Sequence, residues 1–382
     1  MRRFGPDYRA RYPVTCQQHR VMSAITSCRT SALGGHVEIC DRCGETKVSY
    51  NSCRNRHCPK CQTLTKARWL EKRRADLLPV EYFHVVFTVP RTVARLAVQN
   101  RRVVYDTLFA AASATLRTIA ADPKHLGAEI GFIALLHTWG QNLEHHPHLH
   151  CVVTGGGIDH DRKRWIACRP GFFLPVKVLS RLFRRLFVEA LAEAFESGIL
   201  AFGGSIEPWR EPKAFSRLLD DLRAVEWVVY AKPPFGGPER VLDYLGRYTH
   251  RVAIANHRIE AIDRTGVTFR WRDYRCDSAV KTMTLEGVEF LRRFLLHTLP
   301  LGFVRIRHYG FLANRHRAAR IDQVRAMLDA EPPPAADDQM EWQDLLQRLT
   351  GRDPTVCSSC KKGTVVVASR LPAQPPVRID SS

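Results

Sequence analysis

Several things that common protein classes need are missing from this chain. It has no apolar run long enough to span a bilayer; stretches such as Ile133–Leu136 fall far short of the roughly 20 residues required. The opening Met1-Arg-Arg-Phe-Gly-Pro6 is basic but has no apolar core of the signal-peptide kind. Neither a Gly-rich phosphate loop nor a regular strand–helix–strand repeat occurs, which points away from a doubly wound sheet. Also absent are the HxxEH helix and the His-Glu/PCxxC pairing that zinc hydrolases and deaminases require. Acidic residues are scarce: 38 Asp and Glu face 58 Lys and Arg, a formal net charge of +20. That surplus suits a partner with many phosphates or an acidic membrane surface. Without a span or a leader the protein is expected in the cytoplasm, where thiols stay reduced. Its 12 cysteines are therefore read as metal ligands before disulfides.

What is present divides into three parts. Residues 1–78 are cysteine-rich, poor in apolar runs, and end in a basic helix-like stretch, Thr65–Leu78, closed by Pro79. Residues 79–318 mix β-branched strands (Tyr82–Val89, Gly131–Trp139, His148–Thr154, Glu226–Tyr230, Phe303–Arg307) with helical periodicity over 92–120 and 178–198. A further helix is read from Pro238 to about Arg251. A hairpin follows at 258–272, then a helix near 285–299. Residues 319–382 read as a Pro-rich tail with a lone CxxC knuckle, Cys357-Ser-Ser-Cys360. The fold class is α+β: a zinc module, then a mainly antiparallel sheet flanked by helices.

Cys40-Asp-Arg-Cys43 and Cys58-Pro-Lys-Cys61 each place two thiolates on one turn, and together they predict a structural tetrahedral zinc site. His19, Cys28, Cys53 and His57 could complete a second one. Such ions would order the module and present Arg54, Arg56 and Lys60. In His145-His-Pro-His-Leu-His150, alternation puts His148 and His150 on one strand face, about 7 Å apart by the usual rise. Two imidazoles can grip one divalent ion and leave open positions for phosphate oxygens. In Tyr244-Leu-Gly-Arg-Tyr248 the tyrosines share a helix face, with Arg247 and Arg251 near that edge. A tyrosine becomes a useful nucleophile when nearby positive charge stabilises the oxyanion it creates.

These residues resemble the HUH (His–hydrophobic–His) endonucleases. More closely, from about residue 10 to 318, they resemble the rolling-circle transposases of the insertion sequence ninety-one family. The likeness is carried by Cys28-Arg-Thr30, Asn51–Gln62, Leu136-His-Thr-Trp-Gly-Gln141, His146–His150, Tyr244–Arg251 and Arg307–Asn314. It implies an antiparallel sheet bearing His148 and His150, which would hold Mg or Mn. Gln141 would be the third ligand, with Glu144 and His137 as alternatives. Tyr244 and Tyr248 would cut single-stranded DNA and become linked to its 5′ phosphate. Trp139, Trp271, Tyr309 and Phe311 are available to stack unpaired bases. Two other readings stand beside this one: a plasmid replication initiator or relaxase, and a non-catalytic zinc-containing DNA-binding protein.

Overall fold

The computed structural model describes residues 1–232, 235–237, 240–241, 244, 246, 253–273, 277, 279–332 and 340–374. The chain divides into two compact units: Arg74–Leu245 with Leu299–Pro334, and Met1–Arg73 with Gly246–Thr298 and Ala335–Ser382. The stretch expected as a tail is thus shared between both units, and residues 1–73 are joined by two later segments of chain. Among the described residues no helix is long and apolar enough to cross a membrane.

Within Arg74–Leu245 and Leu299–Pro334, six strands form one antiparallel sheet. They are β3 (Tyr82–Thr88), β4 (Glu129–Trp139), β5 (His145–Ile158), β6 (Trp165–Ala167), β7 (Val229–Lys232) and β11 (Ile306–Gly310). The order is β11-β4-β5-β3-β7, and β6 pairs with the far end of β5. Alternation sorts the strands into two chemically different faces. Phe83, Val85, Phe87, Phe132, Ala134, Leu136, Leu149, Cys151 and Val153 belong to one buried apolar core.

Helices cover that apolar face because their own apolar positions recur at three- and four-residue spacing. Helix α4 (Arg91–Gln99) buries Val93, Ala94, Leu96 and Ala97. Helix α6 (Val176–Glu196) buries Leu179, Phe183, Phe187, Leu191 and Ala194, and α7 (Pro212–Ala224) buries Phe215, Leu218, Leu219 and Leu222. Phe183 meets Phe87 edge-on at 4.9 Å and Trp227 at 5.4 Å. Each such ring contributes roughly 1.5–3 kcal/mol by leaving water. The single helix expected over 92–120 is two, α4 and α5 (Arg101–Ala121), broken at Asn100. The Asn100 amide group donates to Ala201 O at 2.8 Å and accepts from Ala201 N at 2.7 Å, so a backbone bridge takes the place of helix continuity.

Among its described residues the second unit holds two three-stranded antiparallel sheets. One orders β12 (Val365–Leu371), β1 (Gly35–Cys40) and β2 (Thr46–Tyr50) as β12-β1-β2. The other extends the expected hairpin, β8 (Ile259–Ile262) and β9 (Gly266–Asp273), by a third strand, β10 (Ala279–Glu286). Helix α2 (Cys16–Ser27) starts with a Thr15/Gln18 capping box, and α3 (Thr63–Arg74) supplies the basic helix expected after the cysteines.

In the first unit Gly310 ends β11 at φ 61°, and a Cβ there would lie 1.7 Å from the Ile130 carbonyl oxygen. Both conformation and space therefore require glycine within Arg307–Asn314. Gly171, at φ 72° with nothing within 4 Å of a Cβ, isolates the conformational part alone. We expect Gly171→Ala to cost about 1 kcal/mol. Gly310→Ala should cost upwards of about 4 kcal/mol, read as the difference between the two Tm losses. Equal losses would refute the steric argument.

Candidate active site and thiol clusters

The register of β5 sets the sheet's other face. His148 lies opposite His137 of β4 and Thr88 of β3, and His150 lies opposite Leu135 and Val86. On the same face, two residues along β3, sits His84, opposite Val152 and Lys232. The ligand nitrogens of His137, His148 and His150 all lie within 4.8 Å of one another. Three convergent imidazoles fit one divalent cation by donor type and spacing.

Electrostatics keep those rings ready to bind. Burial, then the charge of the His146 ring, pushes His148 down to about 3, against the raising effect of its bond to the His146 carbonyl. Burial, then the neighbouring His137, His148 and His84, holds His150 well below the ordinary imidazole range. Both rings are therefore neutral at physiological pH, each with a nitrogen lone pair. For His148 the tautomer follows from its partner: the His146 carbonyl at 2.7 Å can only accept, so Nδ1 carries the proton and Nε2 the lone pair. His145 is committed elsewhere. Its Nδ1 donates to Ala94 O at 3.1 Å and its Nε2 faces the Tyr105 hydroxyl at 2.9 Å, which ties the start of β5 to α4 and α5.

Tyr244 has helical backbone, and its hydroxyl lies 2.6 Å from His150 Nδ1 and 2.8 Å from His84 Nε2. His84 and His150 are themselves 2.8 Å apart between those nitrogens, their rings stacked at 5.0 Å. The Phe235 ring borders Tyr244 at 5.4 Å. His84 is the residue that sequence reasoning missed. Its one signal was an imidazole alternating with Val86 and Thr88 inside an otherwise apolar strand. Gln141 lies in the turn after β4, and Glu144 is exposed and ion-paired with Arg91 at 3.3 Å. Tyr248, Arg247 and Arg251 lie outside the described residues. Of the aromatics offered for base stacking, Phe311 is buried and Tyr309 stacks on Phe132 at 5.0 Å. Trp139 stacks on His137 at 4.8 Å, and Trp271 carries Lys281 5.8 Å from its ring centre.

In the other unit the cysteines group differently from the sequence expectation. Cys28, Cys53, Cys58 and Cys61 form one cluster, and Cys40 and Cys43 join Cys357 and Cys360 in another. The two knuckles at 40–43 and 58–61 therefore do not share a site. The first cluster forms because Arg29 N bonds Asn51 O at 3.0 Å, bringing Cys28, at the end of α2, to the loop that carries Cys53. Cys53 and Cys61 sulfurs are 3.7 Å apart, close to the roughly 3.8 Å edge of a tetrahedron with 2.3 Å zinc–sulfur bonds. Neither expected histidine joins in: His19 is exposed on α2, and the buried His57 ring faces Asn55 Oδ1 at 3.2 Å. Arg54, Arg56 and Lys60 are exposed around this cluster.

Residues 1–89 match a family described as "Transposase zinc-binding domain", and residues 131–320 match one described as "Putative transposase". With the sulfur geometry, the first match supports a structural zinc. A Sinorhizobium fredii protein named "Putative transposase y4qJ" is 57% identical over 96% of this chain and 92% of its own length. The "Transposase for insertion sequence element IS801" of Pseudomonas savastanoi pv. phaseolicola is 27% identical over 91% of this chain and 83% of its own. No solved structure matches the chain. An identity above half, sustained along nearly the whole of both sequences, leaves one assignment: the chain belongs to the insertion sequence ninety-one family of transposases.

Proposed function

We propose that this transposase cuts and rejoins single-stranded DNA by attack of the Tyr244 hydroxyl on a phosphodiester, forming a 5′-phosphotyrosine linkage as in rolling-circle movement. The observation that carries the reading is the Tyr244 hydroxyl held by His150 and His84 beside the His137–His148–His150 group. His148, His150 and His137 would hold Mg or Mn, with His137 preferred to Gln141 as the third ligand. Such an ion supplies Lewis-acid polarisation of a phosphate oxygen.

The chain's own groups do the positioning. Were His150 to hold the ion through Nε2, its Nδ1 would keep the ring proton and donate to the Tyr244 oxygen, 2.6 Å away. The Tyr244 hydroxyl then donates to His84 Nε2, which fixes the direction of its lone pairs. Attack by that oxygen would form the P–O bond to tyrosine and break the bond to the 3′ oxygen. The tyrosine proton would leave through His84 Nε2 to solvent, and the departing 3′ oxygen would take up one proton from water, leaving a free 3′ hydroxyl for rejoining. A second tyrosine, Tyr248, would take the next strand transfer, as the family resemblance implies. Arg247 and Arg251, together with Arg54, Arg56 and Lys60, would meet phosphates.

Three outcomes test this. Labelled single-stranded oligonucleotides from the sequences flanking the gene should give a Mg-dependent covalent protein–DNA band on a denaturing gel. The Tyr244→Phe, Tyr248→Phe double variant should give none, and a band persisting there would end the tyrosine mechanism. His84→Ala should slow band formation up to about tenfold, the worth of one hydrogen bond, with partial recovery in His84→Asn. An unchanged rate would remove His84 from the site. Replacing Arg54, Arg56 and Lys60 together by Ala should flatten the log–log salt dependence of single-strand binding by about 2, at roughly 0.7 per lost phosphate contact. An unaltered slope would place DNA elsewhere.

A further inference from the structure

We infer that Cys40, Cys43, Cys357 and Cys360 hold a second structural zinc ion, one that fastens the C-terminal segment to the N-terminal zinc module. The matched zinc-binding domain, residues 1–89, contains all four members of the Cys28 cluster but only half of this one. The second half comes from more than 300 residues away in sequence, a separation of 320 for Cys40 and Cys360 and 314 for Cys43 and Cys357.

Two lines of geometry converge on the site. The sulfurs of Cys40 and Cys360 are 3.7 Å apart and those of Cys43 and Cys357 are 3.8 Å apart. Those are tetrahedral edges for a metal–sulfur bond of about 2.3 Å, and far longer than the roughly 2.05 Å of a disulfide. A set of four thiolates with no oxygen donor selects a soft or borderline ion, with zinc foremost.

The backbone around the sulfurs is shaped for them as well. Each knuckle is followed at once by a residue in the left-handed region, Gly44 at φ 72° and Lys361 at φ 59°. Gly363 N donates to Cys360 Sγ at 3.3 Å, as amides do to metal-bound thiolates. A Cβ on Gly363 would lie 2.4 Å from Cys40 Sγ, so glycine makes room for that sulfur. The two knuckles are also bonded to each other. Asp41 N reaches Thr364 O at 3.1 Å and Thr364 N reaches Asp41 Oδ1 at 2.8 Å. From there β12 runs antiparallel along β1, with Val365 opposite Cys40 and Leu371 opposite Gly35. Exposed valines on β12 (Val366, Val367) bury little apolar surface, so the strand pairing gains its anchor from the ion.

The test uses the full chain purified with zinc. Metal content should be two zinc ions per chain. Brief iodoacetamide labelling should modify the exposed Cys16 and spare all eight clustered cysteines until a chelator is added. The Cys357→Ser, Cys360→Ser double variant should keep one ion, expose Cys40 and Cys43 to labelling, and leave Cys28, Cys53, Cys58 and Cys61 protected. Should the variant lose both ions, protection of all eight in the unmodified chain still supports the site. One zinc per unmodified chain, with Cys40, Cys43, Cys357 and Cys360 labelled as fast as Cys16, would overturn it. So would a variant that keeps as many ions as the unmodified chain.

Discussion

Everything at the candidate active site depends on the register of β5 between β3 and β4. Because side chains alternate, one register choice points His148 and His150 to the face that holds His84 and His137. The same choice sends Leu149, Cys151 and Val153 into the aromatic core. A slip of one residue would bury two imidazoles among Phe83, Phe87 and Phe132 and expose the apolar set. The core therefore enforces the site: the free energy that seats Leu149 and Val153 also aims the histidines. His145 adds a polar lock at the start of the strand, through Ala94 and Tyr105.

Much of this was legible in the sequence, for a physical reason. Strand and helix periodicities are local, and Tyr82–Val89, Gly131–Trp139 and 178–198 carry them strongly. All three became the expected elements, within a few residues. The His pair declared its shared face by spacing alone. His84 stayed hidden because its meaning depends on a cross-strand neighbour 66 positions away, and no local pattern encodes which strands pair. The break at Asn100 was hidden for the same reason, since the residue that interrupts the helix bonds Ala201, 101 positions on.

The cysteines show the limit most plainly. Two CxxC knuckles fourteen residues apart look like one site, since spacing is the only information a sequence offers about them. Chain geometry divides them instead. Cys58 and Cys61 follow the loop that is pinned to the end of α2, whereas Cys40 is fixed at the end of β1 and faces whatever pairs with that strand. The lone knuckle at 357–360, read as an appendage, is the piece that resolves the arithmetic: four thiols in each cluster.

The pairing of β1 with β12 also has a consequence for biosynthesis. During translation Cys40 and the edge of β1 leave the ribosome early and must wait until residues 357–371 are made before their partners exist. The Cys28 cluster is complete by residue 61 and can close at once. The module that opens the chain therefore finishes folding after the six-stranded sheet has been synthesised, so its completion reports that the ribosome has passed through the segments that build that sheet.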